Sequence, residues 1–254
     1  MPRRARIVIP GLPFHVTQRG IDRMPIFVDD DDRRDYWRWL LEASDAHGVA
    51  IHAYVLMGNH VHLLATPARE DSLGRAMKRC GQIYAQAFNR RYRRCGALLQ
   101  GRFFSSPVGS ERHFLEVLRY IELNPVRAGM VRDPLDHAWS SVHVHLGRRA
   151  DALVRPHAEY LRLGNTPADR IDTWREWLRR GIDEDSLATL RRRLRQGRAV
   201  GSDEFVASLA SRFGPGVAWR PQGRPSQPGS EAACTSKGCA GRVVHRAEKG
   251  NVPF

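Results

Sequence analysis

The chain has 254 residues, 42% of them hydrophobic, which predicts a globular protein with one domain of ordinary size and room for a small second one. No apolar run approaches the roughly 18 residues of a membrane span, and the start of the chain lacks a secretory apolar segment. We therefore expect a cytoplasmic protein without membrane association. The four cysteines lie far apart, which disfavours a disulfide framework or a zinc site of paired cysteines.

The formal net charge is +14, and only three of the 41 basic side chains are lysines. A guanidinium group matches phosphate oxygens with two parallel hydrogen bonds, and a basic surface raises the affinity for any nucleic acid. The charge therefore favours a nucleic-acid partner. A solvated, arginine-rich surface without a partner is the alternative that charge alone leaves open.

Periodicity and capping residues predict seven regular elements in the first half of the chain, after a short basic arm that contains Arg3 and Arg4. In chain order the predicted segments are a strand over 14–18, a loop over 19–23, a helix over 29–46, strands over 49–56 and 60–66, a helix over 71–94, a loop and strand within 96–108, and a helix over 111–123. The β-α-β-β-α-β order is typical of a ferredoxin-like split βαβ antiparallel sheet with helices on one or both faces. We expect this α+β fold, with a mainly helical C-terminal extension.

The pattern changes beyond residue 147. Helices are predicted within 166–213, and proline, glycine, serine and arginine dominate from residue 215 onward. We divide the chain into a first domain (1–147), a helical extension (148–214) and a disordered basic tail (215–254). The extension is either a small DNA-reading module or a scaffold that packs on the first domain, and the sequence does not separate the two.

The segment Met57–Leu64 contains two imidazoles that flank one apolar residue. Side chains alternate between the faces of a strand, so His60 and His62 are predicted to project to the same side, where they could bind one divalent cation. A structural pair, packed or hydrogen-bonded at a sheet edge, is the alternative interpretation.

The segment Tyr120–Gly129 places a phenol and a carboxamide four residues apart. On a helix, Tyr120 and Asn124 share one face, so Asn124 could complete a metal site with the two histidines and Tyr120 could lie beside a metal-bound phosphate. The sequence Asn124-Pro125 is also an ordinary helix stop. The combination predicts a phosphodiester cleaved by attack from tyrosine.

Five ordered segments resemble the single-tyrosine HUH transposases of the IS200 type, and within them the transposases associated with repetitive extragenic palindromes (REP). The segments are Phe14–Gly20, Ala53–Leu64, Gln100–Phe103, Tyr120–Gly129 and Trp139–Ser141. Gly58 stands where proline is usual and Leu99 where tryptophan is usual. The change at Leu99 puts a packing or base-stacking contact in doubt.

The resemblance implies a Mg²⁺ or Mn²⁺ cofactor and single-stranded DNA substrates that contain hairpins or palindromic elements. It implies that His60, His62 and Asn124 hold the metal and that Tyr120 is the nucleophile that forms a 5′-phosphotyrosine. It also implies a monomer that acts on a bacterial chromosome, associated with the nucleoid. The short linker over 107–110 favours a site in which Tyr120 meets the histidines of its own chain.

Several alternatives remain at this point. Tyr84 and Tyr92 are rival nucleophiles on the preceding helix, although we interpret Tyr84 as a core or base-stacking residue. His15 and His52 lie on neighbouring strands, either within reach of the site or as satisfied sheet histidines.

The arm residues Arg3 and Arg4 and the loop residues Arg19, Arg23 and Arg102 are candidate DNA contacts, with solvent exposure as the alternative. Two other functions are open: a DNA- or RNA-binding regulator that has lost catalysis, and a metal-dependent nuclease that uses water and leaves no covalent adduct.

Overall fold

A computed structural model of the chain describes residues 7–109, 112–214 and 217. Arg3, Arg4 and, except for Val217, the predicted basic tail lie outside these residues. Within the described part of the chain, no helix is both long enough and apolar enough to cross a membrane.

Four strands form one sheet in the order β2-β3-β1-β4, and every neighbouring pair is antiparallel. The strands are β1 (Phe14–Arg19), β2 (Val49–Leu56), β3 (His60–Pro67) and β4 (Phe104–Pro107). Helix α1 (Asp30–His47) connects β1 to β2, and helix α2 (Ser72–Arg91) connects β3 to β4. This is the predicted split βαβ arrangement, so the α+β fold class is confirmed.

Local signals set the ends of α1 as predicted, whereas α2 is shorter than expected. The Asp29 carboxylate accepts a hydrogen bond from the backbone N–H of Asp32 at 2.9 Å, and Gly48 ends α1 with a φ of 65°. Helix α2 ends at Arg91 instead of residue 94, because Arg93 adopts a left-handed φ of 50° and the Tyr92 hydroxyl donates to the Asp32 carboxylate at 2.8 Å.

Alternation along the strands gives the sheet two different faces. Phe14, Val16 and Leu63 belong to a core shared with α1 and α2. Val55 and Leu64 point to the opposite face and pack in a second core. Because His60 and His62 are four and two residues from Leu64, both project to this second face.

After β4 the regular elements of the described residues are helices, and several of them pack on that second face. The helices are α3 (Arg112–Glu122), α4 (Asn124–Arg127), α5 (Val142–His145), α6 (Ala158–Leu161), α7 (Pro167–Arg180), α8 (Glu184–Arg195) and α9 (Asp203–Phe213). Trp174 of α7 and Leu194 of α8 share the core of Val55 and Leu64. The helical extension is thus confirmed and packs on the sheet, while the boundary at residue 147 stays a prediction.

Candidate active site

His62 lies in the middle of β3, opposite Thr17 on one side and Val55 on the other. Its Nδ1 lies 2.9 Å from Nε2 of His15 and 3.1 Å from the Thr17 hydroxyl oxygen. His15 therefore reaches the site directly, one of the two possibilities left open by the sequence. If His62 Nδ1 carries the proton and donates to these neighbours, its Nε2 keeps a free lone pair.

His60, at the start of β3, has a similar arrangement. Its Nδ1 lies 2.6 Å from Oδ1 of Asn59, an oxygen that can only accept, so Nδ1 is the protonated nitrogen in this pair. The rings of His60 and His62 lie 4.9 Å apart between centroids. Within the described residues neither Nε2 has a hydrogen-bond partner. A ligand histidine commonly donates from one ring nitrogen to a fixing partner and binds metal through the other.

Burial keeps these imidazoles neutral, the form that binds metals. Desolvation, followed by the Arg19 charge, lowers the pKa of His60 to about 4. Desolvation, with a smaller contribution from His60, lowers the pKa of His15 to about 3. The pKa of His62 lies well below its ordinary value, chiefly through burial and then through His15 and other nearby positive charges.

Tyr120, in the last turn of α3, meets the histidines of its own chain. Its ring centroid lies 5.8 Å from that of His62 and 6.1 Å from that of His15, both edge to face. The side chain is mostly buried in the core beneath the sheet. The structure therefore places the predicted nucleophile and the predicted ligand histidines at one point.

Asn124 lies beyond a break in the helix. The helix is interrupted at Leu123, and Asn124 begins the short helix α4 with Pro125 in its first turn, which removes one backbone donor. Asn124 is half-buried, and its Nδ2 is buried without a hydrogen-bond partner in the described part of the chain. Its carboxamide is thus not committed to another contact.

Arg127 packs against Tyr120. Its guanidinium lies 4.4 Å from the centroid of the Tyr120 ring, and its Nη2 donates to the Tyr120 carbonyl oxygen left by the helix break. Sequence reasoning missed this residue, although its spacing of seven from Tyr120 is that of two helical turns.

A buried carboxylate lies behind the tyrosine. Glu122 accepts hydrogen bonds from the Ser141 hydroxyl at 2.7 Å, from His145 Nδ1 at 2.6 Å and from the Trp174 indole N–H at 2.9 Å. These partners join α3 to α5 and α7. The sequence offered one signal for Glu122, because it follows Leu118 by four residues on the apolar face of α3.

Three of the resembling segments meet at one end of the sheet. Gly20 donates its N–H to Asn59 O at 2.9 Å, and Gln100 donates to Arg19 O at 2.8 Å. The loop after β1 therefore lies beside the turn before His60 and beside the loop that carries Arg102.

The three predicted arginines of these loops are accessible to different degrees: Arg23 and Arg102 are exposed, and Arg19 is half-buried. Arg19 lies opposite His60 in the β1–β3 ladder, so it is the one nearest the histidines in the sheet. Their role in DNA binding stays a prediction.

The rival residues lie elsewhere. Tyr84 is buried among aromatic rings on the other face of the sheet, its hydroxyl donates to Ile26 O, and burial raises its pKa strongly. Tyr92 is bound to Asp32, and desolvation raises its pKa to about 12. His52 is a satisfied sheet histidine, with Nδ1 2.6 Å from Arg155 O and Nε2 2.8 Å from the Thr66 hydroxyl.

No group of three or more histidine, cysteine, aspartate or glutamate side chains suited to a metal occurs among the described residues. A metal bound here would need Asn124, or oxygen atoms of substrate or water, beside the two histidines. Imidazole and carboxamide donors fit Mn²⁺ and, with added oxygen ligands, Mg²⁺. The two unpartnered Nε2 atoms and the uncommitted carboxamide therefore fit the predicted metal.

Residues 9–124 match the family model described as "Transposase IS200 like". A search of curated protein sequences found no match.

Two of the solved structures that are similar to the chain are transposases. One is a REP-associated tyrosine transposase bound to a REP hairpin, 18% identical, aligned over 62% of this chain and 93% of the other, with a TM-score of 0.49. The other is a putative transposase from Deinococcus radiodurans R1, 22% identical, aligned over 48% of this chain and 96% of the other, with a TM-score of 0.32.

Proposed function

We propose that this chain, which belongs to the IS200-like transposase family through residues 9–124, cuts and rejoins single-stranded DNA through Tyr120. The observation that carries the proposal is the contact between the Tyr120 ring and His62, at 5.8 Å between centroids, within one chain. A tyrosine beside two neutral imidazoles that can bind a metal ion is suited to phosphodiester transfer, because it combines a nucleophile with groups that could hold a Lewis acid.

His60, His62 and Asn124 would hold Mg²⁺ or Mn²⁺. When bound, the metal would polarise the scissile phosphate and offset the charge that develops during transfer. His15, Thr17 and Asn59 would fix the rings of the two ligand histidines through the contacts to their Nδ1 atoms.

In the proposed reaction, Tyr120 Oη forms a bond to phosphorus and the bond from phosphorus to the 3′-oxygen breaks. The phenol loses its proton and the departing 3′-oxygen gains one, so the step consumes no net proton. The product is a 5′-phosphotyrosine with a free 3′-hydroxyl, and the reverse attack by a 3′-hydroxyl rejoins DNA. The transferred bond is conserved, so no external energy source is needed.

The proposed substrate is a DNA hairpin with single-stranded flanks, of the repetitive palindromic type on a bacterial chromosome. The support is the motif resemblance together with the net charge of +14 and the arginines of the loops beside His60. We propose that the protein acts as a monomer, because Tyr120 meets its own histidines.

Covalent-adduct formation on labelled single-stranded hairpin oligonucleotides tests this function. With Mg²⁺ or Mn²⁺ we expect a denaturation-resistant protein–DNA band from wild type and from Tyr92→Phe, and none from Tyr120→Phe or after chelation. Tyr92→Phe is a suitable control because it removes a phenol hydroxyl away from the histidines. A band from Tyr120→Phe would contradict the assignment.

Two further outcomes would identify other functions. Cleavage without a covalent band in wild type would indicate a nuclease that uses water. Tight hairpin binding without any cleavage, unchanged by EDTA and by Tyr120→Phe, would indicate a binding protein that has lost catalysis.

A further inference from the structure

Arg127 is a half-buried cation without an ionic partner. Its guanidinium lies over the face of the Tyr120 ring at 4.4 Å, and no carboxylate in the described part of the chain forms an ion pair with it. Burial lowers its pKa to about 10, with a smaller contribution from the positive charge of Arg191. Arg33, which is also half-buried, pairs with Asp30 at 3.2 Å, so its charge is compensated by a carboxylate.

Only part of the hydrogen-bonding capacity of Arg127 is used. Nη2 donates to the Tyr120 carbonyl oxygen, while Nε and Nη1 are buried and have no hydrogen-bond partner among the described residues. Leaving charged donors buried and unsatisfied is costly, more so than for neutral groups. A bound anion at this position would remove that cost.

The position of Arg127 beside Tyr120 indicates which anion it would bind. The Arg127 guanidinium and the His62 imidazole both lie against the Tyr120 ring, at 4.4 Å and 5.8 Å from its centroid. The phosphate to be cut must reach Tyr120 Oη. The guanidinium stacked on that same ring is therefore near the path of its nonbridging oxygens, and its planar fork of donors matches them.

We infer that Arg127 is a catalytic residue that binds the scissile phosphate beside Tyr120 and stabilises the negative charge of the transition state. The inference rests on the proposed function, since it assigns a role within the same reaction. Fixed donors aimed at developing charge are among the largest contributions to catalysis. The competing role is structural: Arg127 would only cap the Tyr120 carbonyl and support the helix break.

Arg119 provides a matched control. Its guanidinium also lies over an aromatic ring, that of Trp177 at 5.1 Å. It also donates to a backbone carbonyl oxygen, Trp177 O at 3.2 Å, and its Nε is also buried without a partner. Arg119 and Arg127 thus make similar structural contacts, but only Arg127 lies against the Tyr120 ring.

The experiment is single-turnover adduct formation at saturating hairpin oligonucleotide, with Mn²⁺, for wild type, Arg127→Ala, Arg127→Lys and Arg119→Ala. We expect Arg127→Ala to lower the rate about 100-fold, as removal of one donor to a transition-state oxyanion does. Arg127→Lys keeps the charge without the fork, and we expect an intermediate loss. Arg119→Ala should stay within about threefold of wild type.

Chemical rescue distinguishes a catalytic role of the Arg127 side chain from a structural one. Guanidinium ion at a non-denaturing concentration should restore the rate of Arg127→Ala at least about tenfold and leave that of Arg119→Ala unchanged. Two outcomes would refute the role of Arg127 and leave the proposed function standing. In the first, Arg127→Ala forms the adduct at the wild-type rate. In the second, its rate falls only as much as that of Arg119→Ala and guanidinium does not restore it. If wild type forms no adduct, both are wrong. If Arg127→Ala does not fold, Arg127→Lys decides by the same comparison with wild type.

Discussion

The buried carboxylate of Glu122 links helix α3 to α5 and to helix α7 of the C-terminal extension. Its oxygens accept from Ser141, His145 and Trp174 at 2.6–2.9 Å, and Glu122 and Trp174 are both 0% exposed. We predict that Glu122→Ala lowers the free energy of unfolding by about 3–5 kcal/mol, because three donors lose their acceptor inside the core.

The substitution Trp174→Phe isolates one of the three bonds. It keeps an aromatic ring but removes the indole N–H, so one buried carboxylate oxygen loses its donor at a cost of about 1–3 kcal/mol, with a further cost for the smaller ring. Trp177→Phe is the matched control, because the Trp177 ring stacks on Trp174 at 6.2 Å while its N–H makes no hydrogen bond within the described residues. We expect the control to cost less than about 1 kcal/mol.

Urea unfolding followed by far-ultraviolet circular dichroism measures these differences, since it does not depend on the tryptophans that are changed. The midpoint should shift with little change in slope if only stability is affected. If Trp174→Phe proves no more destabilising than Trp177→Phe, the hydrogen bond to Glu122 does not carry the stabilisation argued here.

Three other predictions concern packing, pH and metal. An added Cβ at Gly20 would lie 2.2 Å from Met24 O, so Gly20→Ala should lower the urea midpoint by an amount equivalent to about 1–3 kcal/mol. The control Gly58→Ala should leave stability unchanged, because nothing lies within 4 Å of the added Cβ. Equal effects of the two substitutions would contradict the clash at Gly20. Burial lowers the pKa of His52 from 6.5 to about 4, so the unfolded chain gains protons first as pH falls below 6.5, and stability should decline towards pH 4. The stability of His52→Gln, measured by urea titrations at several pH values, should decline less steeply with falling pH than that of wild type. An unchanged dependence of stability on pH would refute the assignment to His52. His60→Ala should weaken Mn²⁺ binding, measured by calorimetry, at least about tenfold. If the variant binds Mn²⁺ as tightly as wild type, His60 is not a ligand.

The sheet could be predicted because its signals are local. Alternation marks β1 and β3, the Asp29 cap and Gly48 bound α1, and the order of elements selects one topology. The placement of His60 and His62 on one face follows from strand geometry alone. Each inference needs only neighbours within a few residues, which a single sequence supplies.

The surroundings of the site could not be predicted, because they are made by distant segments. His15 meets His62 across 47 positions, and Glu122 meets Trp174 across 52. The helix break at Leu123 was hidden because Asn124-Pro125 indicates a stop but not the short helix that continues to Arg127. The contact of Arg127 with Tyr120 depends on that continuation.

Strand β3 is hydrogen-bonded on both sides, to β1 over residues 60–65 and to β2 over 61–67. A doubly paired interior strand belongs to the part of a protein that opens only with global unfolding, not by local fluctuation. The backbone that carries His60 and His62 is therefore ordered when the chain folds. Its loss of conformational entropy is part of the free energy of folding and does not weaken later binding. The two imidazoles are prepared in advance of DNA, as a property of the folded sheet itself.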